Sequence, residues 1–134
     1  MVISSKLTHF TFGVSNLDAS LAFYAQWFDL VIVHDKRPTG SRGAWVTTRA
    51  QAKLDPPEFL FVIQEEEAPV LLDHFGFQVE RREDLERIAE AAKVAGVWLM
   101  GPIDLGGMVG SFVTIRDPDG HRWEFTCGQP IGGL

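Results

Sequence analysis

Two histidines and one glutamate occupy positions from which they could bind a divalent metal ion. The segments LTHFTFGV (7–14) and LDHFGFQV (72–79) are near-copies, and each carries a histidine, His9 or His74, at its third position. Glu124 lies in an alternating apolar and polar stretch near the end of the chain. Two imidazoles and one carboxylate form an open site that suits Fe(II), Mn(II), Ni(II) or Zn(II) and leaves positions for substrate oxygens.

Strand periodicity predicts that these three side chains share the face of a sheet that helices do not cover. Alternate residues of a strand point to the same side. In both copies, phenylalanines one and three residues after the histidine are expected to pack under a helix, which places His9 and His74 opposite. Trp123 and Phe125 flank Glu124 and direct it away from the helix in the same way. Each residue alone is more often structural, but their matched positions favour metal ligands.

The elements that position these residues form an internal repeat. The copies of each motif lie about 62 to 67 residues apart, a spacing typical of two tandem modules. We expect one β-α-β-β-β module over residues 5–65, a second over 71–128, and a C-terminal tail over 129–134. The glutamates of QEEEAPV (64–70) are expected to form a solvated joint between the modules.

Helix and strand signals are similar in the two modules. A helix is predicted over 16–28, with Ser15 and Asp18 forming a capping box, and the second helix is expected to end at Gly96. Alternating patterns and turn residues predict the remaining strands. These strands are expected at 30–35, 43–49, 58–65, 96–101, 110–116 and 121–127.

Composition excludes several classes of protein. The chain has 134 residues, 46% of them hydrophobic, which suits one globular domain made of two small modules. The net charge of −6 argues against nucleic acid as a partner, because phosphate neutralisation needs a basic surface. No apolar run approaches the length of a membrane span, and the N-terminus lacks the apolar core of a secretory signal. The single cysteine excludes an internal disulfide, and a cytoplasmic location is expected.

The combined pattern resembles the vicinal oxygen chelate superfamily, which includes glyoxalase I, extradiol dioxygenases, fosfomycin-resistance enzymes and bleomycin-binding proteins. The resemblance rests on His9 and His74 opening two modules and on RDPDGHRWEF (116–125) closing the second. It implies an α+β fold, in which the tandem modules form a curled mixed sheet cup with helices on its outer face. It further implies a homodimer, the metal ligands His9, His74 and Glu124, and a catalytic part for Glu124.

The resemblance does not select one reaction. Glyoxalase I has a first-module carboxylate as fourth ligand, but the internal repeat places Val62 at that position, and a valine cannot bind metal. Gln64, two residues on and on the same face, is the alternative. The departure counts against glyoxalase I activity. A ring-cleaving dioxygenase, a lyase or isomerase, and an antibiotic-resistance enzyme of the fosfomycin type stay open, each acting on a small oxygenated molecule.

A metal-free protein that binds small molecules in an apolar pocket is the second hypothesis, by analogy with bleomycin-resistance proteins. In either case a set of polar and aromatic strand residues is predicted to contact the ligand. These residues are Thr11, Trp45, Thr47, Phe112 and Thr114. Around the first glycine-bearing loop, Lys36, Arg37 and Arg42 are expected either to attract an anionic substrate or to form a solvated turn.

Overall fold

The structure is a computed structural model that describes residues 3–131, and the chain divides into two compact units. The first unit ends at Val70 and the second begins at Leu71. Each contains one four-stranded mixed sheet and one long helix, so the predicted α+β class with two βαβββ modules is confirmed.

The first unit contains the elements β1 (His9–Val14), α1 (Leu17–Phe28), β2 (Leu30–Asp35), β3 (Gly43–Thr48), the short α2 (Arg49–Ala52) and β4 (Leu60–Glu65). The second unit contains β5 (Phe75–Gln78), α3 (Arg82–Ala95), β6 (Trp98–Gly106), β7 (Gly110–Arg116) and β8 (Arg122–Cys127). Among residues 3–131, no helix is long and apolar enough to cross a membrane.

The first strand of each unit pairs in parallel with the last one. The strand orders are β1-β4-β3-β2 and β5-β8-β7-β6, and the other pairs are antiparallel. In the parallel pairs, Thr11 lies opposite Val62 and Gly76 lies opposite Glu124. Because Thr11 and Gly76 each stand two residues after a histidine, Val62 and Glu124 are structural equivalents.

Helix α1 covers one face of the first sheet. Its buried residues follow the predicted helical spacing and include Leu17, Leu21, Tyr24 and Phe28. The Tyr24 ring meets Phe12 of β1 edge-on, with 6.1 Å between ring centroids and 67° between ring planes. This aromatic contact fixes the covered face of the sheet and leaves the alternate residues of β1 on the other face.

The predicted cap of this helix is off by one residue. Asn16, rather than Ser15, is the N-cap, because its backbone is extended and its side-chain oxygen accepts a hydrogen bond from Ala19 N at 3.0 Å. Both residue types cap helices well, and only the backbone conformation decides between neighbours. A carboxylate oxygen of Glu65 accepts from Leu17 N at 2.9 Å. Glu65 therefore links the end of β4 to the start of α1. The sequence analysis instead expected it in a solvated segment between the two modules.

Helix α3 covers one face of the second sheet with Leu85, Ala89 and Ala92. It ends at Gly96, which adopts a left-handed conformation with φ of 75°, as predicted. Under the helix, the ring of Phe77 stacks on Trp123 at 5.8 Å between centroids. The strand after α3 differs from the prediction, since it starts two residues later, runs to Gly106 and contains register shifts.

The basic loop of the first unit is neutralised by carboxylates. Arg37 donates to both oxygens of Asp35, at 2.9 and 2.8 Å, and to Asp18 at 2.9 Å. Arg42 donates to Asp18 at 3.2 Å and to Glu65 at 3.1 Å. These guanidinium groups hold the loop against α1 and β4. Arg37 and Arg42 therefore have a structural role, in place of the attraction of an anionic substrate that was considered for them.

The turn between β7 and β8 is organised around one buried carboxylate. Asp117 accepts from Asp119 N and His121 N through Oδ1, and from the indole N–H of Trp123 through Oδ2 at 3.2 Å. Asp117, His121 and Trp123 are all buried. His121 Nδ1 in turn accepts from Leu72 N at 3.1 Å, which ties the start of the unit to the turn.

Replacing Asp35 is expected to make stability less dependent on pH under acidic conditions. The hydrogen bonds from Arg37 lower the pKa of Asp35 from 3.8 to about 2. A carboxylate with a lowered pKa stabilises the fold above its ordinary value and loses that contribution as the pH falls through about 2. Asp35→Asn should therefore lower the chemical-denaturation midpoint at pH 6, and the difference from wild type should become small near pH 2 and vanish below it. A difference as large at pH 2 as at pH 6 contradicts this assignment.

Asp117→Ala is expected to destabilise the protein by about 3 kcal/mol, because it leaves buried donors without acceptors. The measurement is equilibrium unfolding in urea, followed by tryptophan fluorescence and circular dichroism. Asp104→Ala serves as the control, since Asp104 is an exposed residue near the end of strand β6 whose side chain accepts one backbone hydrogen bond, from Gly106 N. An equal decrease in the free energy of unfolding in both variants would show that the buried Asp117 carboxylate contributes no more to stability than the exposed Asp104.

Candidate functional site

The second unit brings His74 and Glu124 together on the face that α3 does not cover. His74 directly precedes β5, and Glu124 lies opposite Gly76 on β8. The distance from His74 Nε2 to Glu124 Oε2 is 4.0 Å. A Cβ atom added at Gly76 would meet nothing within 4 Å, so the surface beside the pair is open.

The ring of His74 is oriented by the residue before it. Asp73 Oδ1 lies 2.6 Å from His74 Nδ1, and this hydrogen bond is the main reason that the pKa of Asp73 lies below its ordinary value. The bond uses Nδ1 and turns Nε2 toward Glu124. A histidine that binds a metal through one nitrogen commonly has its other nitrogen held by a carboxylate in this manner.

Glu124 occupies a drier environment than His74. Its side chain is 17% exposed, compared with 50% for the imidazole. Burial raises the pKa of Glu124, and the nearby His74 opposes that shift only in part. A partly buried carboxylate is stabilised in its charged form by a cation, whether a protonated imidazole or a metal ion.

The separation of the two side chains is close to what one shared divalent ion requires. Bonds from such an ion to a histidine nitrogen and to a carboxylate oxygen are each about 2.1 Å long. At a tetrahedral angle two such bonds span about 3.4 Å, so His74 Nε2 and Glu124 Oε2, which are 4.0 Å apart, would move about half an ångström closer to share an ion. One nitrogen and one oxygen ligand together suit Mn, Fe, Ni or Zn.

The first unit presents His9 in a similar way. Thr8 Oγ1 lies 2.9 Å from His9 Nδ1, so the residue before the histidine again engages Nδ1. Thr8 and Asp73 hold the same place in the repeat, which is the sequence signal for these orienting contacts. His9 is exposed at the start of β1.

A mostly apolar pocket lies beside His9 within the first unit. Its volume is about 200 Å³. Six residues line it, namely Thr8, His9, Trp45, Pro57, Leu60 and Val62. Val62 stands at the equivalent of Glu124, so the first unit has carbon where the second has a carboxylate. Gln64, the alternative fourth ligand, is exposed near the end of β4, opposite Gly13 and Gly43.

The predicted ligand-contacting residues fall into different environments. Trp45 lines the pocket of the first unit, and Thr11 is exposed on the same face of β1 as His9. Thr114 is buried opposite Glu124, and Phe112 is half-buried two residues before it on β7. Thr47 is buried on β3, and its hydroxyl donates to Phe59 O at 2.6 Å. A proton held by the backbone is not available to a substrate.

A second group of ligand-type side chains lies in the β7–β8 turn. Ligand atoms of Asp117, Asp119 and His121 all lie within 4.8 Å of one another. Both oxygens of Asp117 already accept hydrogen bonds, and Nδ1 of His121 accepts from the Leu72 backbone. These hydrogen bonds hold the turn together, so this group of side chains has a structural role. His74 and Glu124, in contrast, face open space.

Comparison with known proteins places the chain in a family. The profile of the Glyoxalase/Bleomycin resistance protein/Dioxygenase superfamily matches residues 6–125. The uncharacterized protein PA2024 of Pseudomonas aeruginosa is 33% identical over 135 residues, which cover 97% of this chain and 94% of that protein.

Solved structures share the fold over nearly the whole chain. An integron cassette protein, HFX_CASS4, from the mobile metagenome of the Halifax Harbour sewage outfall has a TM-score of 0.70 and 25% identity, covering 93% of this chain and all of that one. A mutant of the fosfomycin resistance protein FosX from Listeria monocytogenes, complexed with Mn(II) and 1S,2S-dihydroxypropylphosphonic acid, has a TM-score of 0.74. It is 20% identical, with 96% of this chain and 95% of that chain covered. The chain belongs to the Glyoxalase/Bleomycin resistance protein/Dioxygenase superfamily.

Proposed function

We propose that this chain is a divalent-metal-dependent enzyme acting on a small molecule that binds the ion through two neighbouring oxygens. The observation that carries the proposal is the pairing of His74 Nε2 with Glu124 Oε2 at 4.0 Å on an open sheet face. The Mn(II) complex of the FosX mutant supports the same class of chemistry. The reaction is a ring cleavage, a lyase or isomerase step, or an addition of the fosfomycin type.

His74 and Glu124 would hold the ion, and His9 is the third ligand in this proposal. An ion bound there polarises the substrate oxygens that it contacts. Asp73 keeps the His74 ring turned toward Glu124, and Glu124 supplies negative charge from a partly buried position. The bare backbone at Gly76 leaves room for a substrate.

The residues proposed to contact the substrate are those on the open faces of the two sheets. In the second unit these are Thr114 and Phe112, which lie on the same side of β7 and β8 as Glu124. In the first unit they are Thr11 and Trp45. Gln64 stays the alternative fourth ligand.

A metal-free binding protein is the second candidate, and the apolar pocket of the first unit is the observation that favours it. Such a protein would bind an aromatic drug equally well after treatment with a chelator. The enzyme proposal requires that loss of metal abolishes turnover.

The proposal also includes a homodimer in the cytoplasm. Light scattering coupled to gel filtration tests the dimer and should give twice the monomer mass. A monomer at micromolar concentration contradicts this part of the proposal and leaves the metal site unaffected.

Removing either paired ligand is expected to abolish stoichiometric metal binding. Protein purified without a histidine tag is incubated with Fe, Mn, Ni and Zn in turn and analysed for metal content. Wild type should retain about one ion per chain, and His74→Ala and Glu124→Ala should retain almost none while staying folded. His34→Ala is the control, since His34 packs against Trp45 and is not a proposed ligand. Full occupancy in His74→Ala would falsify the site.

Asp73→Asn is expected to weaken metal binding by about 10- to 100-fold. The amide lacks the negative charge that orients His74 and raises its basicity as a ligand. Asp73 is 88% exposed, so the unfolding midpoint should not change. Competition titrations with a chromophoric chelator measure the affinity, and Thr8→Ala provides the matched change beside His9. Unchanged affinity in Asp73→Asn would mean that the contact has no part in metal binding.

A further inference from the structure

The segment that carries His74 stands outside the sheet of the second unit. Residues 71–74 belong to no helix or strand, and β5 begins at Phe75. A cavity of about 410 Å³ borders this segment and the start of β8, and it is lined by Leu71, Leu72, Asp73, Gly120 and Arg122. Packing against the segment is therefore incomplete on this side. Its position depends all the more on hydrogen bonds to the rest of the unit.

One such hydrogen bond joins the segment to a buried histidine. Leu72 N donates to His121 Nδ1 at 3.1 Å. An imidazole nitrogen that accepts a hydrogen bond carries no proton, so the neutral His121 ring has its proton on Nε2. His121 is fully buried and Leu72 is half-buried. A backbone N–H that loses its acceptor in such surroundings costs free energy, which keeps Leu72 at this imidazole.

The His121 end of this bond is fixed by the β7–β8 turn. The backbone N–H of His121 donates to Asp117 Oδ1 at 2.9 Å, and its carbonyl accepts from Asp117 N at 3.0 Å. Asp117 Oδ2 in turn accepts from the indole N–H of the buried Trp123. Both backbone polar groups of His121 are thus held by one buried residue. The imidazole is a rigid point to which the segment is attached.

The attached residue lies next to the groups that form the proposed metal site. Leu72 precedes Asp73, whose carboxylate oxygen lies 2.6 Å from His74 Nδ1. The Asp73 side chain is 88% exposed and the His74 imidazole is 50% exposed, so surrounding side chains hold neither firmly. The backbone of the segment must set where these two side chains begin. The bond at Leu72 N therefore controls the 4.0 Å between His74 Nε2 and Glu124 Oε2.

The first unit has carbon at the position equivalent to His121. Because Val62 corresponds to Glu124, the residue three positions before it, Phe59, corresponds to His121. The Phe59 ring packs edge-on against Phe10, with 6.0 Å between centroids. The imidazole acceptor thus occurs in the unit that has the carboxylate, and a phenyl ring occurs in the unit that has the valine. This pairing indicates that the acceptor is linked to the site and is not a general requirement of the fold.

We infer that His121 is a positioning residue for the metal ligand His74. It acts through Leu72 N–H and holds residues 72–74 where the imidazole of His74 and the carboxylate of Glu124 can share one ion. The inference rests on the proposed function, because it takes these two residues as ligands. Loss of the acceptor leaves both ligands chemically intact. It lowers metal affinity because the segment then also adopts positions in which only one of them reaches the ion.

Two substitutions of His121 test the inference through metal affinity. His121→Asn places an oxygen at the position of Nδ1, where it can accept from Leu72 N, and His121→Leu removes the acceptor. Competition with a chromophoric chelator should give a Zn(II) affinity within about threefold of wild type for His121→Asn. His121→Leu should weaken the affinity by about 10- to 100-fold. Equal affinities in the two variants overturn the inference.

Val113→Ala separates positioning from a general loss of stability. Val113 is buried on β7 opposite Phe125, and its truncation destabilises the same unit. Its Zn(II) affinity should stay within about twofold of wild type. A loss of affinity as large as that of His121→Leu would assign the effect to stability and overturn the inference. If His121→Leu does not fold, His121→Gln replaces it, because the glutamine oxygen lies one bond farther from the backbone than Nδ1.

A measurement without metal distinguishes this inference from the proposed function. In chelator-treated protein, the imidazole nitrogen NMR signals of His74 report how Asp73 engages Nδ1. These signals should shift or broaden in His121→Leu and stay as in wild type in His121→Asn. The proposed function fails if wild type binds no metal, and a response of the His74 signals then still supports positioning by His121. Identical His74 signals in wild type and His121→Leu overturn the inference, whatever the metal titrations give.

Discussion

Parallel pairing of the first and last strands of each unit is the constraint on which the candidate site depends. It sets Gly76 opposite Glu124, and because side chains alternate along a strand, His74 shares the face of that glutamate. A shift of one residue in this register would turn Glu124 under α3. The buried Trp123, which stacks on Phe77 beneath the helix, prevents that shift.

The duplicated scaffold carries different side chains at equivalent places. Glu124 and Val62 share a position in the repeat, yet one is a carboxylate near an imidazole and the other lines an apolar pocket. The backbone pairing that places them is the same in both units. The two units thus share the strand pairing that places these side chains, and single side-chain differences give the two faces different chemistry.

The sequence predicted what depends on periodicity and missed what depends on local backbone and rotamer. Alternating apolar residues were sufficient to assign most strand bounds and the shared face of His74 and Glu124. The choice of Asn16 over Ser15 as cap depends on backbone angles that both residue types tolerate. Thr47 has the same pattern as a ligand-facing threonine, but its hydroxyl bonds to a carbonyl on the segment leading into β4. No spacing rule encodes that bond.

The orienting contacts make the two histidines unequal. The bond from Asp73 to His74 is 2.6 Å long and involves a carboxylate, whereas the Thr8 contact to His9 is 2.9 Å long and involves a neutral hydroxyl. Hydrogen bonds to charged groups are shorter and about twice as strong. Since His74 also has Glu124 Oε2 at 4.0 Å from its Nε2, the imidazole of the second unit has the better-organised surroundings. His9, beside an apolar pocket, is held by the weaker of the two contacts.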